Sequence, residues 1–191
     1  MKKMNWTFAS LLLLACSVAL AQTEKPAAPR TAGQVVDDWI ANTETKLVAV
    51  AEAMPEDKYK LAPANGEFRG VRTFAKQVKH VAAANYLFAA GILGEQPPAD
   101  AADERGPDAV RTKAEILKYL KDSFAYLHKA VATIDAKNVV EPIKSPFGQG
   151  TEGLGGTRLG LAAGAIAHAS NHYGQMVEYL RMNSIIPPAS Q

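Results

Sequence analysis

Apolar positions recur at helical spacing in four long stretches of this chain. In the first, Val35, Val36, Trp39, Ile40, Thr43, Leu47, Val50 and Met54 follow helical spacing, which gathers side chains on one helix face. Thr31 with Gln34 has the form of a capping box, and Pro55 marks the end. The pattern predicts a helix over about 32–54. Phe74, Val78, Val81, Asn85 and Phe88 share a face in a second stretch, about 71–93, closed by Gly94. A third, about 112–136, opens on a Thr112–Glu115 capping box and carries Ile116, Leu120, Phe124, Leu127, Val131 and Ile134. The fourth runs from about 157 to 182, with Asn183 expected to close it in a left-handed conformation before Pro187-Pro188. No stretch shows a convincing strand pattern. Four helices, each with one apolar face, predict an all-α fold, a four-helix bundle. Trp39, Phe74, Phe88 and Phe124 fall on these faces and read as core.

The connections differ in character. Residues 55–70 are irregular, with Pro55, Pro63, Gly66 and Gly70. Residues 95–109, rich in Pro, Ala and Asp, read as a surface loop. Residues 137–156 are long and glycine-rich, a kind of segment that is usually functional or disordered. No GxxxxGK[ST] or GxGxxG occurs there, so phosphate binding has no support.

The N-terminus changes the picture. Lys2 and Lys3 precede an uncharged run from Phe8 to Leu20, and Ala19-Leu20-Ala21 fits the small-x-small rule of signal peptidase. Residues 1–21 are therefore expected to be a secretory signal peptide, 22–30 a flexible spacer, and 31–191 the bundle domain. The expected location is outside the cytoplasm, in the periplasm. A rival reading takes Leu13-Leu14-Ala15-Cys16 as a lipoprotein box, with an acyl anchor on Cys16. No second apolar stretch approaches the roughly 20 residues that span a bilayer. Cys16 is the only cysteine, so cleavage after Ala21 removes disulfides and thiolate chemistry from the mature chain. The 21 basic residues, less Lys2 and Lys3, balance the 19 acidic ones, which gives no electrostatic footprint for nucleic acid.

Candidate chemistry rests on three of the four histidines. His168 and His172 are four apart, so their Cβ atoms sit roughly 5–6 Å apart on one helix face. His80, on another helix, can complete a set of three nitrogens. Three protein ligands leave an open position, as in catalytic zinc sites. The plainer alternative is an unligated pair, since H-x-x-x-H is a weak motif. The depth of His80 in its helix matches that of His168 and His172 whether the two helices run parallel or antiparallel. Gly164, Ala165, Ala83 and Ala84 flank these positions and leave room beside a metal, or else let helices pack closely. Gln175 can hydrogen-bond a ligand water or sit on the surface; Glu178 and Asn85 are candidate partners for imidazole N–H groups. His128 reads as a flanking structural histidine. No general base stands out.

The segment from His168 to Ser190, HASNHYGQMVEYLRMNSIIPPAS, resembles the last helix and tail of DinB/YfiT-like bundle proteins. The likeness lies in His168, His172, Gly174-Gln175, Tyr179-Leu180-Arg181 and Pro187-Pro188. Arg72–Asn85, RTFAKQVKHVAAAN, resembles the family's second helix, whose histidine, here His80, is the third ligand. The resemblance implies a divalent-metal site of Zn, Ni or Fe type on His80, His168 and His172. In characterised branches it implies thiol-dependent S-transferase or isomerase activity with bacillithiol or mycothiol; many members have no known activity. The leader sets this chain apart from the cytosolic branches. The expected function is an exported, metal-dependent transferase or hydrolase acting on a small molecule that the sequence does not name. The alternative is a non-catalytic bundle of the cell envelope that binds metal or a small ligand. A homodimer is left open.

Overall fold

A computed structural model describes residues 28–64, 70–101, 103–147 and 156–191. The expected signal peptide, residues 22–27 of the expected spacer and residues 148–155 of the glycine-rich segment lie outside the described residues. Among the described residues the fold is built of four α-helices: α1 Ala32–Ala53, α2 Phe74–Leu93, α3 Lys113–Val131 and α4 Arg158–Met182. There is no strand among the described residues, only an isolated bridge between Pro142 and Thr157.

Local chemistry sets the boundaries. Both expected capping boxes form: Gln34 N donates to Thr31 Oγ1 at 3.1 Å, and Glu115 N donates to Thr112 Oγ1 at 3.3 Å, each with the reciprocal bond. α2 begins three residues later than the expected 71, because the Thr73 hydroxyl accepts from Lys76 N and caps it. α3 ends at Val131, short of 136. There Thr133 N and Ile134 N bond carbonyls three residues back, and Asp135 Oδ1 collects the N–H groups of Lys137 and Asn138 in a turn. Ile134 stays buried, so the apolar stripe outlasts the helix. At the end of α4 the left-handed residue is Ser184, at φ 58°, and not Asn183, at φ −103°. Asn183 Nδ2 donates instead to the Tyr179 carbonyl.

Each helix packs mainly on two others: α1 and α2 both lie against α3 and α4. Contacts at the helix ends give the directions. Lys121 pairs with Glu52 while Gly33 abuts Val131 and Ile134, so α1 and α3 are antiparallel. Tyr179 Oη donates to the Arg72 carbonyl, and Arg158 Nε to that of Ile92, so α2 and α4 are antiparallel. Lys79 reaches Val110 at one end and Glu95 meets Tyr126 at the other, so α2 and α3 run parallel. Parallel neighbours need a connection that returns along the bundle, and residues 94–112 supply it.

Phe74, Phe124, Ile40, Leu47, Leu120 and Met176 are among the fully buried side chains between the helices. Phe88 is buried as expected, but Trp39 is not: it is 62% exposed. Val36, Ile40, Thr43 and Leu47 hold the inward face of α1, and Trp39 lies just round the helix from them. It lines a groove of about 210 Å³ with Ile166, Ser170 and Tyr173 of α4. Among the described residues no helix is long and apolar enough to cross a membrane.

Candidate metal centre

The antiparallel pair α2 and α4 brings His80 opposite His168 and His172. The helical repeat puts His168 and His172 on one face in the middle of α4, and close packing of α2 supplies the third ring. His168 Nε2 lies 3.1 Å from His80 Nε2 and 3.1 Å from His172 Nε2. One nitrogen from each ring falls within a set spanning no more than 4.8 Å. His80 is 4% exposed, His172 6%, and His168 half-buried.

What stands behind each ring decides how it can be used. His80 Nδ1 lies 2.8 Å from the Glu104 carbonyl oxygen. A carbonyl only accepts, so Nδ1 carries the proton and Nε2 turns its lone pair to the cluster. Glu104 sits at φ 58°, uncommon for a residue other than glycine. Lys79 Nζ pins the same loop by donating to the carbonyls of Pro107, at 2.5 Å, and Val110, at 3.3 Å. The loop expected over 95–109 is thus more than surface: its Glu104 holds the His80 ring. His172 Nδ1 meets the side-chain amide of Gln77, whose Nε2 also donates to Gln175 Oε1 at 2.7 Å. His168 Nδ1 is buried with no hydrogen-bond partner among the described residues.

Electrostatics keeps all three rings neutral. Burial, then the nearby His172, His80 and Arg72 charges, pushes His168 down to about 3. Burial, then His80 and Arg72, pushes His172 down to about 4 against a hydrogen bond to Gln175. Burial also lowers His80, against the bond to the Glu104 carbonyl. At pH 7 the cluster therefore offers unprotonated imidazoles, the form that binds metal. One nitrogen of each ring faces the same small space, with the His80 Nε2 lone pair fixed inward by the carbonyl behind it, so the donor set fits a metal ion. Imidazole nitrogens suit Zn, Ni, Fe and Cu, and do not single one out.

A family model for the DinB superfamily matches residues 40–176, more than half of the chain and all three histidines. The chain belongs to the DinB superfamily. A search among curated proteins finds no match.

Other residues of this DinB bundle fall differently from expectation. Asn85 faces α3, where its Nδ2 donates to Ser123 Oγ, and Glu178 is exposed and pairs with Arg181. Neither partners a ligand ring. Gln175 touches the centre both through Gln77 and beside His172 itself. His128 bridges Asp37 at 2.5 Å and Glu44 at 3.0 Å, tying α3 to α1, as a structural histidine does. The small residues serve close packing. A Cβ on Gly164 would come within 3.0 Å of the Phe88 ring, while Ala83, Ala84 and Ala165 are buried in contact with the core. Phe88 lies 5.9 Å from the His168 ring and 4.5 Å from Phe147, an aromatic wall on one side of the centre. Sequence reasoning missed Gln77, Glu104 and Phe147. Gln77 had one signal, a polar residue one turn before His80 on a largely apolar helix; Glu104 had none.

Proposed function

We propose that this chain is an exported, divalent-metal-dependent enzyme of the transferase or hydrolase kind, acting on a small molecule at His80, His168 and His172. The observation that carries the reading is the convergence of three neutral Nε2 atoms from two opposed helices. A Zn, Ni or Fe ion bound there would supply Lewis-acid activation of a water or thiol. The chain's own part is to hold the ligand rings: the Glu104 carbonyl fixes the tautomer of His80, and the Gln77 amide abuts His172. Phe88 and Phe147 offer an apolar side to a substrate, and the Arg72 charge favours an anionic group near the rings. The test has two parts. Elemental analysis of protein purified without added metal should find about one divalent ion per chain, lost in the triple alanine variant; full occupancy in that variant would sink the reading. A panel of thiol, ester and amide substrates should then show turnover that chelator abolishes.

One observation favours a non-catalytic metal- or ligand-binding role. Among the described residues, the carboxylate paired with the cluster, Glu104, stands on the Nδ1 side of His80, away from the converging nitrogens. Absence of turnover with a fully loaded protein would choose that role. Export rests on the Lys-led apolar run ending at Ala21. Mass spectrometry of the envelope fraction should find a chain beginning at Gln22; an acylated Cys16 would favour the lipoprotein.

A further inference from the structure

We infer that Gln77 and Gln175 form an amide relay that decides which nitrogen of His172 carries the proton, and that the relay reverses when the centre is loaded. The inference rests on the metal reading for its second half only.

The three rings differ in what can change behind them. His80 is backed by a main-chain carbonyl, which has one polarity. His168 Nδ1 has no partner among the described residues. His172 alone is backed by a side-chain amide, which offers a donor or an acceptor according to its half-turn. As arranged, Gln77 Nε2 donates to Gln175 Oε1 and to His172 Nδ1. His172 Nδ1 then accepts, and its ring proton sits on Nε2, aimed at His168 Nε2 3.1 Å away. A ring in that tautomer cannot ligate through Nε2.

Ligation needs the proton on Nδ1, and a proton there needs an acceptor. A half-turn of Gln77 brings its Oε1 to His172 Nδ1. That oxygen would face Gln175 Oε1, so Gln175 turns too and donates from its own Nε2. Both hydrogen bonds are kept with every polarity reversed. The proton leaving Nε2 is matched by one arriving at Nδ1 through solvent, so the ring stays neutral. Gln175 is exposed and turns in water, while Gln77, 2% exposed, has among the described residues these two partners for its Nε2. A buried amide is costly unless it is hydrogen-bonded, and Gln77 keeps its hydrogen bonds in either orientation. Gln77 is thus a positioning residue acting through His172.

The test uses the full mature chain, stripped by chelator, with Zn(II) and Ni(II) titrated against a competing chelator. Gln77→Leu, which can neither donate nor accept, should bind about 10- to 100-fold more weakly, the usual cost of losing such a partner. Gln77→Glu only accepts, and should bind at least as tightly as the wild type. Nitrogen-15 NMR of the His172 ring in metal-free protein should place the proton on Nε2 in the wild type and on Nδ1 in Gln77→Glu. This reading needs no metal, so it judges the relay even if neither ion binds the wild type, an outcome that would fell the metal reading alone. Wild-type affinity in a helical Gln77→Leu, or the same tautomer in wild type and Gln77→Glu, overturns the relay. Should Gln77→Leu fail to fold, the nearly isosteric Gln77→Glu still decides.

Discussion

Buried and half-buried imidazoles here titrate in opposite senses. The unfolded chain takes up protons on His168 and His172 near pH 6.5, whereas the folded chain holds off until about 3 and 4. The unfolded state therefore binds more protons in that window, and metal-free stability falls as pH drops through it. The expected result is that the melting-temperature gap between the wild type and the His80/His168/His172 triple Gln variant narrows or reverses on going from pH 7 to 4.5, by calorimetry in chelator. His128 behaves the other way. Burial lowers its affinity for protons, but the hydrogen bonds to Asp37 and Glu44 outweigh burial and raise it. Its contribution is full below about pH 6.5 and is lost as pH rises through the raised folded value. His128→Gln should cost about 1 kcal/mol at pH 6 and little at pH 9, in urea titrations. The His168–His172 pair was legible in sequence because a spacing of four is a local, periodic fact, and His80 joined it as a candidate through its depth along its helix. Gln77 was not, because its role depends on which helix faces α2. Trp39 misled because apolar spacing tells little of where a buried face ends.

Helix termini carry much of what the pattern could not show. Gly33, in the first turn of α1, lies where a Cβ would meet the Val131 and Ile134 carbonyl oxygens at 2.5 and 2.7 Å. Those atoms are the main chain at the end of α3 and cannot swing away. Helix propensity alone favours Ala over Gly by about 1 kcal/mol. Overpacking should win: Gly33→Ala is expected to destabilise by about 1–3 kcal/mol, read from a denaturation midpoint with unchanged slope. A neutral or stabilising result would mean α1 slides freely at this end. The same corner explains the missed boundary. Ile134 continues the buried stripe after α3 has stopped, so apolar periodicity ran on where the Asp135–Asn138 turn had taken over.

At the scale of the molecule, four apolar faces close one core, and this burial is expected to hold the bundle together with or without an ion. Burial at roughly 25 cal/mol per Å² dominates its stability. A metal then adds RT ln(1 + [L]/Kd), about 2.7 kcal/mol at a hundred times Kd. His80→Ala should stay helical by circular dichroism and lose the zinc-dependent rise in melting temperature that the wild type shows. Loss of helical signal when the wild type is stripped at room temperature would make the ion structural, as in a zinc finger. The bundle was legible in sequence, but its directions were not. Depth along the helices matched for either sense, and only paired contacts such as Tyr179 with Arg72 show α2 and α4 opposed.

The crossover that joins the parallel helices has a consequence for how this protein varies. What His80 requires at position 104 is a main-chain oxygen presented from a left-handed residue. No side chain encodes that oxygen. The Glu104 carboxylate, 3.7 Å from His80 Nδ1, adds to that bond, but the stricter demand at this position is on conformation. Glu104→Asn and Glu104→Gly, which tolerate positive φ, should leave zinc affinity within a fewfold of wild type. Glu104→Val, β-branched and strained there, should weaken it while every metal-facing side chain stays in place. A relative that differs at 104 can keep the same centre, and one that keeps all three histidines can lose it through its loop.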